Sequence, residues 1–219
     1  MLLALFKINE MRKILIGLIV ISLIYSCNSE NKKNTVSTDT KSKYKISQYL
    51  NNCKSKEDIN SNSKIAIDSM KTYKLRFSSG WDVENVIEKD LKGIYAFDTA
   101  SFLQTELIRT ITVSQSIIEK KKSLNNYFLS ELKGMEDEGF SIKETGTYDL
   151  NNSDARWVLT STGTKKKSYS IFIYTMKYSL NSVFIIELNV ENTDKPEVEL
   201  CRLKSIIDSF IFLPLNKAA

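Results

Sequence analysis

The chain has 219 residues, 31 basic against 26 acidic side chains and a formal charge of +5, with no histidine and three cysteines. This length supports one domain of ordinary size beside a leader. The absence of histidine excludes Ser-His-Asp and Cys-His catalysis and removes the commonest zinc ligand.

The first organised stretch is Met11–Cys27, MRKILIGLIVISLIYSC. Arg12 and Lys13 form a positive start, Ile14–Tyr25 an apolar run short for a bilayer span, and Ser26 a small residue before a cysteine. That order fits an export signal better than an anchor helix. Ile24-Tyr25-Ser26-Cys27 resembles the lipobox of bacterial lipoprotein signal peptides. The resemblance implies that residues 1–26 are removed and that Cys27 is acylated as the mature N-terminus. Residues 1–10 precede a signal that is complete without them, so translation is expected to start at Met11, the alternative being an extended positive start to the signal. Asn28 follows the cysteine, which by analogy with enteric lipoproteins favours the outer membrane where the source has one.

The leader carries Lys7, Arg12 and Lys13 against Glu10, which leaves +3 on the remainder, with both signs interspersed. This is a solvated surface, not a nucleic-acid footprint. Residues 27–63 are rich in Asn, Ser, Lys and Thr and read as a polar tether. As a flexible coil it would reach roughly 30 Å from the membrane. Within it Tyr44, Ile46, Tyr49 and Leu50 suit a short helical turn docking on the domain. Cys53 and Cys201 lie in no C-x-x-C pair, so neither a redox motif nor a zinc ribbon is available. Two readings stay open for them: free thiols, or a bridge pinning the N-terminal segment to the last helix.

The folded domain is expected over residues 64–213. Tyr73, Leu75 and Phe77 alternate with polar residues as in a half-buried strand. Ser79-Gly80 breaks the strand, Trp81–Val83 resumes it, and Gly93–Asp98 and Glu106–Ile118 continue the pattern around a polar loop. The period then becomes helical: Leu124, Tyr127, Phe128, Leu132 and Met135 share a face, with Ser123 as cap and Gly139 as stop. Four strands follow, Ser141–Tyr148, Ala155–Thr162, Ser168–Tyr178 and Val183–Val190, joined by polar turns as an antiparallel meander. The third strand is apolar on both faces, which predicts cover on both. A last helix is expected from Lys195 to Phe210, with Asp194 as cap and Pro196 in its first turn. Pro214 marks the end, and residues 214–219 form a tail.

This order describes a largely antiparallel sheet covered by helices, an α/β fold of the α+β sandwich kind. It resembles the PsbP and Mog1 superfamily, including small bacterial lipoproteins of that fold. The residues carrying the resemblance are Tyr73–Trp81, the helix Leu124–Met135, Arg156–Leu159 and Leu203–Phe212. Members often place a proline before the first tryptophan, where this chain has Ser78-Ser79-Gly80. The resemblance implies a non-catalytic accessory module and transfers no partner-contacting residue.

The site candidates are few. Asp149–Asp154 echoes the opening of a calcium loop, but Asp154 stands at the glycine position and Thr160 where a bidentate glutamate belongs. A polar hairpin turn is the expectation there, with no metal. Lys120–Lys122 and Lys165–Lys167 read as solvated loop ends, and Trp81 and Trp157 as core. No nucleophile elbow is present, so no catalytic residue and no cofactor is assigned. The expected function is a membrane-tethered, non-catalytic lipoprotein of the cell envelope that binds an envelope protein. The alternatives are a carrier of a small ligand or lipid, and a hydrolase using two converging carboxylates.

Overall fold

The computed structural model describes residues 45–53, 63–87, 92–118, 122–163 and 168–214. The signal segment, Cys27, most of the tether, Lys120–Lys121, Lys165–Lys167 and the last five residues lie outside the described residues.

Two of the sequence signals set the centre of the fold. The strands β7 (Ser141–Leu150), β8 (Ser153–Thr162), β9 (Ser168–Lys177) and β10 (Ser182–Glu191) form the antiparallel meander. The β7–β8 hairpin closes on Asn151 and Asn152, both with positive φ (49° and 65°). That is the demand of a two-residue primed turn, and asparagine meets it at little cost. On the other side of β10 lies β6 (Ile108–Ile117), then β5 (Lys92–Asp98) and β4 (Trp81–Ile87). A short strand β1 (Lys45–Ile46) adds to the outer edge of β7, in parallel. The eight-stranded order is therefore β1-β7-β8-β9-β10-β6-β5-β4. Consecutive strands β6 and β7 do not pair; the helix α3 (Leu124–Asp137) carries the chain across.

Both faces of the sheet are covered. On one, α3 lays Leu124, Tyr127, Phe128, Leu132 and Met135 against Val158, Tyr174, Met176 and Val183. Ser123 Oγ accepts from the Asn126 amide at 3.2 Å to cap the helix start. Gly139 (φ 86°) ends the helix in a Schellman motif: the Phe140 amide donates to Met135 and that of Gly139 to Glu136. On the opposite face lies a larger cluster in which Ile171, Ile173, Phe184, Ile186 and Leu188 meet Tyr73, Leu75, Leu203 and Phe210. The two-faced apolar pattern of β9 is thus answered by two layers, as expected.

The second layer differs from the expectation in kind. It includes a three-stranded sheet, β11-β3-β2, of β11 (Ile211–Phe212), β3 (Tyr73–Phe77) and β2 (Lys64–Ile67). The expected last helix is two short ones, α4 (Pro196–Arg202) and α5 (Lys204–Asp208). The Leu203 amide is shared between the Glu199 and Leu200 carbonyls, a tightening that keeps Leu200, Leu203, Ile207 and Phe210 buried on one stripe. Lys195, not Asp194, occupies the cap position, and the Thr193 hydroxyl accepts its amide at 3.1 Å. The polar loop after β5 is a helix, α2 (Thr99–Thr105), capped by Asp98.

The packed unit also reaches further back than Lys64. Residues 49–52 form one helical turn, α1 (Tyr49–Asn52), and Leu50 is fully buried in the larger cluster. Cys53 at its end is joined to Cys201 of α4 as a disulfide, the Cα atoms 5.4 Å apart.

Candidate functional site

At the end of the larger core, where β5 and β6 run toward α4, three charged side chains lie buried together. Asp98 is the last residue of β5 and caps α2, accepting from the Ser101 amide at 3.0 Å and its hydroxyl at 2.7 Å. Its remaining acceptor capacity goes to Arg109 near the start of β6, whose Nε donates at 2.8 Å and whose Nη2 also reaches the same oxygen. The Arg109 guanidinium lies 6.0 Å from the Trp81 ring centroid, and its Nη1 comes within 3.7 Å of Glu199 on α4. Glu199 in turn accepts from Arg202 at 2.9 Å. One arginine thereby ties a strand end, a helix cap and the terminal helix together. Breaking such a pair from one side strands the partner charges in a site with little water.

Above this cluster opens a cleft of about 1050 Å³. α1 supplies Tyr49 and Asn52, with Gln48 before and Cys53 after; β7 supplies Glu144, and α4 supplies Glu197, Val198 and Arg202. Arg109 forms part of its base, and the Cys53–Cys201 disulfide holds its two walls together. The Tyr49 hydroxyl donates across to the Glu197 carbonyl. Burial pushes the Tyr49 phenol well above its ordinary range, and the carboxylates of Glu197 and Glu144 add to the effect. Tyr49 is therefore a neutral donor, not a phenolate. Val198 is 48% exposed at the rim. The wall combines an aromatic ring, an aliphatic side chain, amides and charges of both signs, which is the chemistry of a polar-rimmed recognition surface.

The wall rests on Trp157 and Gly146. The Trp157 indole is fully buried 6.3 Å from the Tyr49 ring, and its Nε1 has no hydrogen-bond partner. A side chain at Gly146 would come within 2.5 Å of that nitrogen and 2.6 Å of the Ser47 carbonyl. Glycine in the middle of β7 is what lets the 45–53 segment lie against the indole.

Cys53 and Cys201 are thus brought together in this wall. Trp81 and Trp157 are core residues, as read from the sequence. Asp149–Asp154 is a plain hairpin turn: Asp149 accepts from the Asn152 amide at 2.8 Å, and Asp154 pairs with Arg156 at 2.6 Å. Lys122 lies over the Tyr127 ring at 5.3 Å. The Asp98–Arg109–Glu199 cluster escaped the sequence reading. Its one signal was an arginine inside the β-branched run Ile108–Val113, where a charge has to be matched if the strand is covered. Asp98 and Glu199 do approach one arginine, but both are already engaged: Asp98 by Arg109, and Glu199 by Arg109 and Arg202.

No family model matches the chain, and no curated protein matches it in sequence. Its fold is similar to that of the PsbP protein (CyanoP) of the cyanobacterium Synechocystis sp. PCC 6803. That pair is 12% identical with a TM-score of 0.49, covering 73% of this chain and 98% of the other. It is also similar to the Ran-binding protein Mog1p of Saccharomyces cerevisiae, 9% identical with a TM-score of 0.49, over 68% of this chain and 95% of that one. A protein of unknown function from Pseudomonas aeruginosa, PA94, matches at 10% identity and a TM-score of 0.39, over 63% and 89%. At these identities the likeness is one of fold.

Proposed function

We propose that this chain is a lipid-anchored, non-catalytic binding module of the cell envelope, tethered through Cys27, that docks an envelope protein in the cleft between α1 and α4. The observation that carries the reading is the cleft itself. It is open, of recognition size, and its walls are held by a disulfide and by the buried Arg109 cluster. Walls held in advance reduce the ordering cost of association. The carrier reading is less favoured, because the space between α3 and the sheet is filled by Phe128, Leu132, Met135 and Tyr174, each at most 8% exposed.

The test is site-directed crosslinking in intact cells, with a photoreactive residue at Val198 of the full chain and a control at Leu129, an exposed position on α3. One protein adduct is expected from Val198 and none from Leu129. Cys27→Ser should abolish the adduct by releasing the chain from its membrane, and Arg202→Glu should reduce it. Equal adducts from both positions, or none from Val198, would overturn the assignment.

A further inference from the structure

The three-stranded sheet turns its inner side chains into the core, and among the described residues no element is laid across its outer face. Register brings Ile67 of β2, Lys74 of β3 and Ile211 of β11 into one row, and Ile65 and Arg76 into the next. The isoleucines stand 51% (Ile65), 45% (Ile67) and 46% (Ile211) exposed, and Met70 in the β2–β3 turn 58%. Scattered singly such residues would need no account, but grouped on one face they mark an interaction site. Neither Lys74 nor Arg76 has an ion-pair partner among the described residues. A shallow groove of about 390 Å³ runs between them and α5. Its lining holds one carboxylate, Asp208, which is taken up by Lys204 at 2.6 Å and by the Tyr148 hydroxyl. The groove is therefore cationic.

We propose that this face rests on an anionic phospholipid surface, with Lys74 and Arg76 at the headgroup phosphates and Ile65, Ile67 and Ile211 at the acyl boundary. Charge complementarity selects the partner's sign, and the placement of the charges selects its class. The core of a protein–protein interface is depleted of charge and enriched in aromatic side chains. Here two cations sit in the middle of the face among aliphatic side chains, and no aromatic ring points outward from the three strands. Apolar side chains interleaved with cations are what an interfacial surface needs, the first for partition and the second for attraction to the leaflet. This contact is separate from the cleft between α1 and α4, and it requires no acyl chain on Cys27. A domain held in this way would keep a fixed side toward the bilayer.

The test is sedimentation of the full chain carrying Cys27→Ser with phosphatidylcholine vesicles, with and without phosphatidylglycerol. The N-terminal segment is common to every variant, so differences between variants report on the face. Lys74→Gln/Arg76→Gln should lower partition onto the anionic vesicles about thirtyfold and leave the neutral ones unchanged. Lys133→Gln/Lys143→Gln removes the same charge elsewhere and should change it far less. Ile65→Ser/Ile211→Ser should weaken binding to both vesicles. The four charged positions point into solvent or lie at the surface, so native circular dichroism is expected throughout. Equal losses from the two charge-neutralised variants would overturn the proposal. Partition of the Lys74→Gln/Arg76→Gln chain matching the parent would do the same. Saturation by soluble polyglutamate with no vesicle binding would assign the face to an acidic protein segment instead.

Discussion

Glu187→Gln should make the protein more stable at neutral pH and leave it nearly unchanged in acid. Glu187 is on β10, half-buried on the α3 side of the sheet, where the Ser170 hydroxyl donates to it at 3.3 Å. Burial pushes its carboxyl up to about 7; nearby Glu191 pushes the same way, and the Ser170 bond opposes them. In the unfolded chain the same group titrates at its ordinary value of 4.5. Between those two points the folded state holds a proton that the unfolded state has released, so stability falls as pH rises through the window. The full difference corresponds to about 3 kcal/mol, present as a penalty above pH 7 and absent below 4.5. Glutamine keeps the shape and can still bond Ser170, but it never ionises. Reversible urea unfolding of both chains at several pH values gives the difference in stability directly. Burial also raises the carboxyls of Glu131 and Glu138, but they are common to both chains and cancel. A variant-minus-parent difference that stays flat from acid to neutral pH would refute the argument.

Arg109→Met is expected to cost roughly 3–5 kcal/mol in urea unfolding, because Asp98 and Glu199 would be left buried without their shared cation. Adding Asp98→Asn and Glu199→Gln should recover much of that loss, and a triple variant no better than the single one would show that the cluster is not what holds α4. Cys53→Ser/Cys201→Ser in a Cys27→Ser background should lower stability by about 5 kcal/mol, the chain-entropy value for a bridge across 148 residues. In the parent of that pair, denatured and unreduced, no thiol should react with a thiol reagent. Leu50→Ala should cost about 2–5 kcal/mol as a core truncation; a change near zero would detach residues 45–53 from the fold.

The elements most legible in the sequence are those whose signal is local. The α3 stripe, its Ser123 cap and its Gly139 stop need only neighbours three or four residues away, and all three occur as read. The Asn151-Asn152 turn is equally local, since positive φ is a property of the residue itself. The strands missed were the short ones, β1, β2 and β11. Two to four residues carry no readable period, and each exists because a distant edge accepts its hydrogen bonds. The break at Leu203 was hidden for a related reason: the apolar stripe continues through it, and the tightening shows only in the hydrogen bonds.

The candidate site divides along the same line. Its parts were visible as residue types: two cysteines outside any redox motif, a glycine inside a strand, an arginine in a β-branched run. The amino-acid order alone determined the layered antiparallel sheet, the Asn151-Asn152 turn and both ends of α3, because backbone preference and side-chain period act over a few residues. Only the tertiary structure decided that β6 pairs with β10 and that Arg109 meets both Asp98 and Glu199. It alone set Cys53 beside Cys201 and left Ile65, Lys74 and Ile211 together on an open face. Most of those contacts join residues tens to more than a hundred positions apart. Which of them form depends on how whole layers pack, and no local pattern records that.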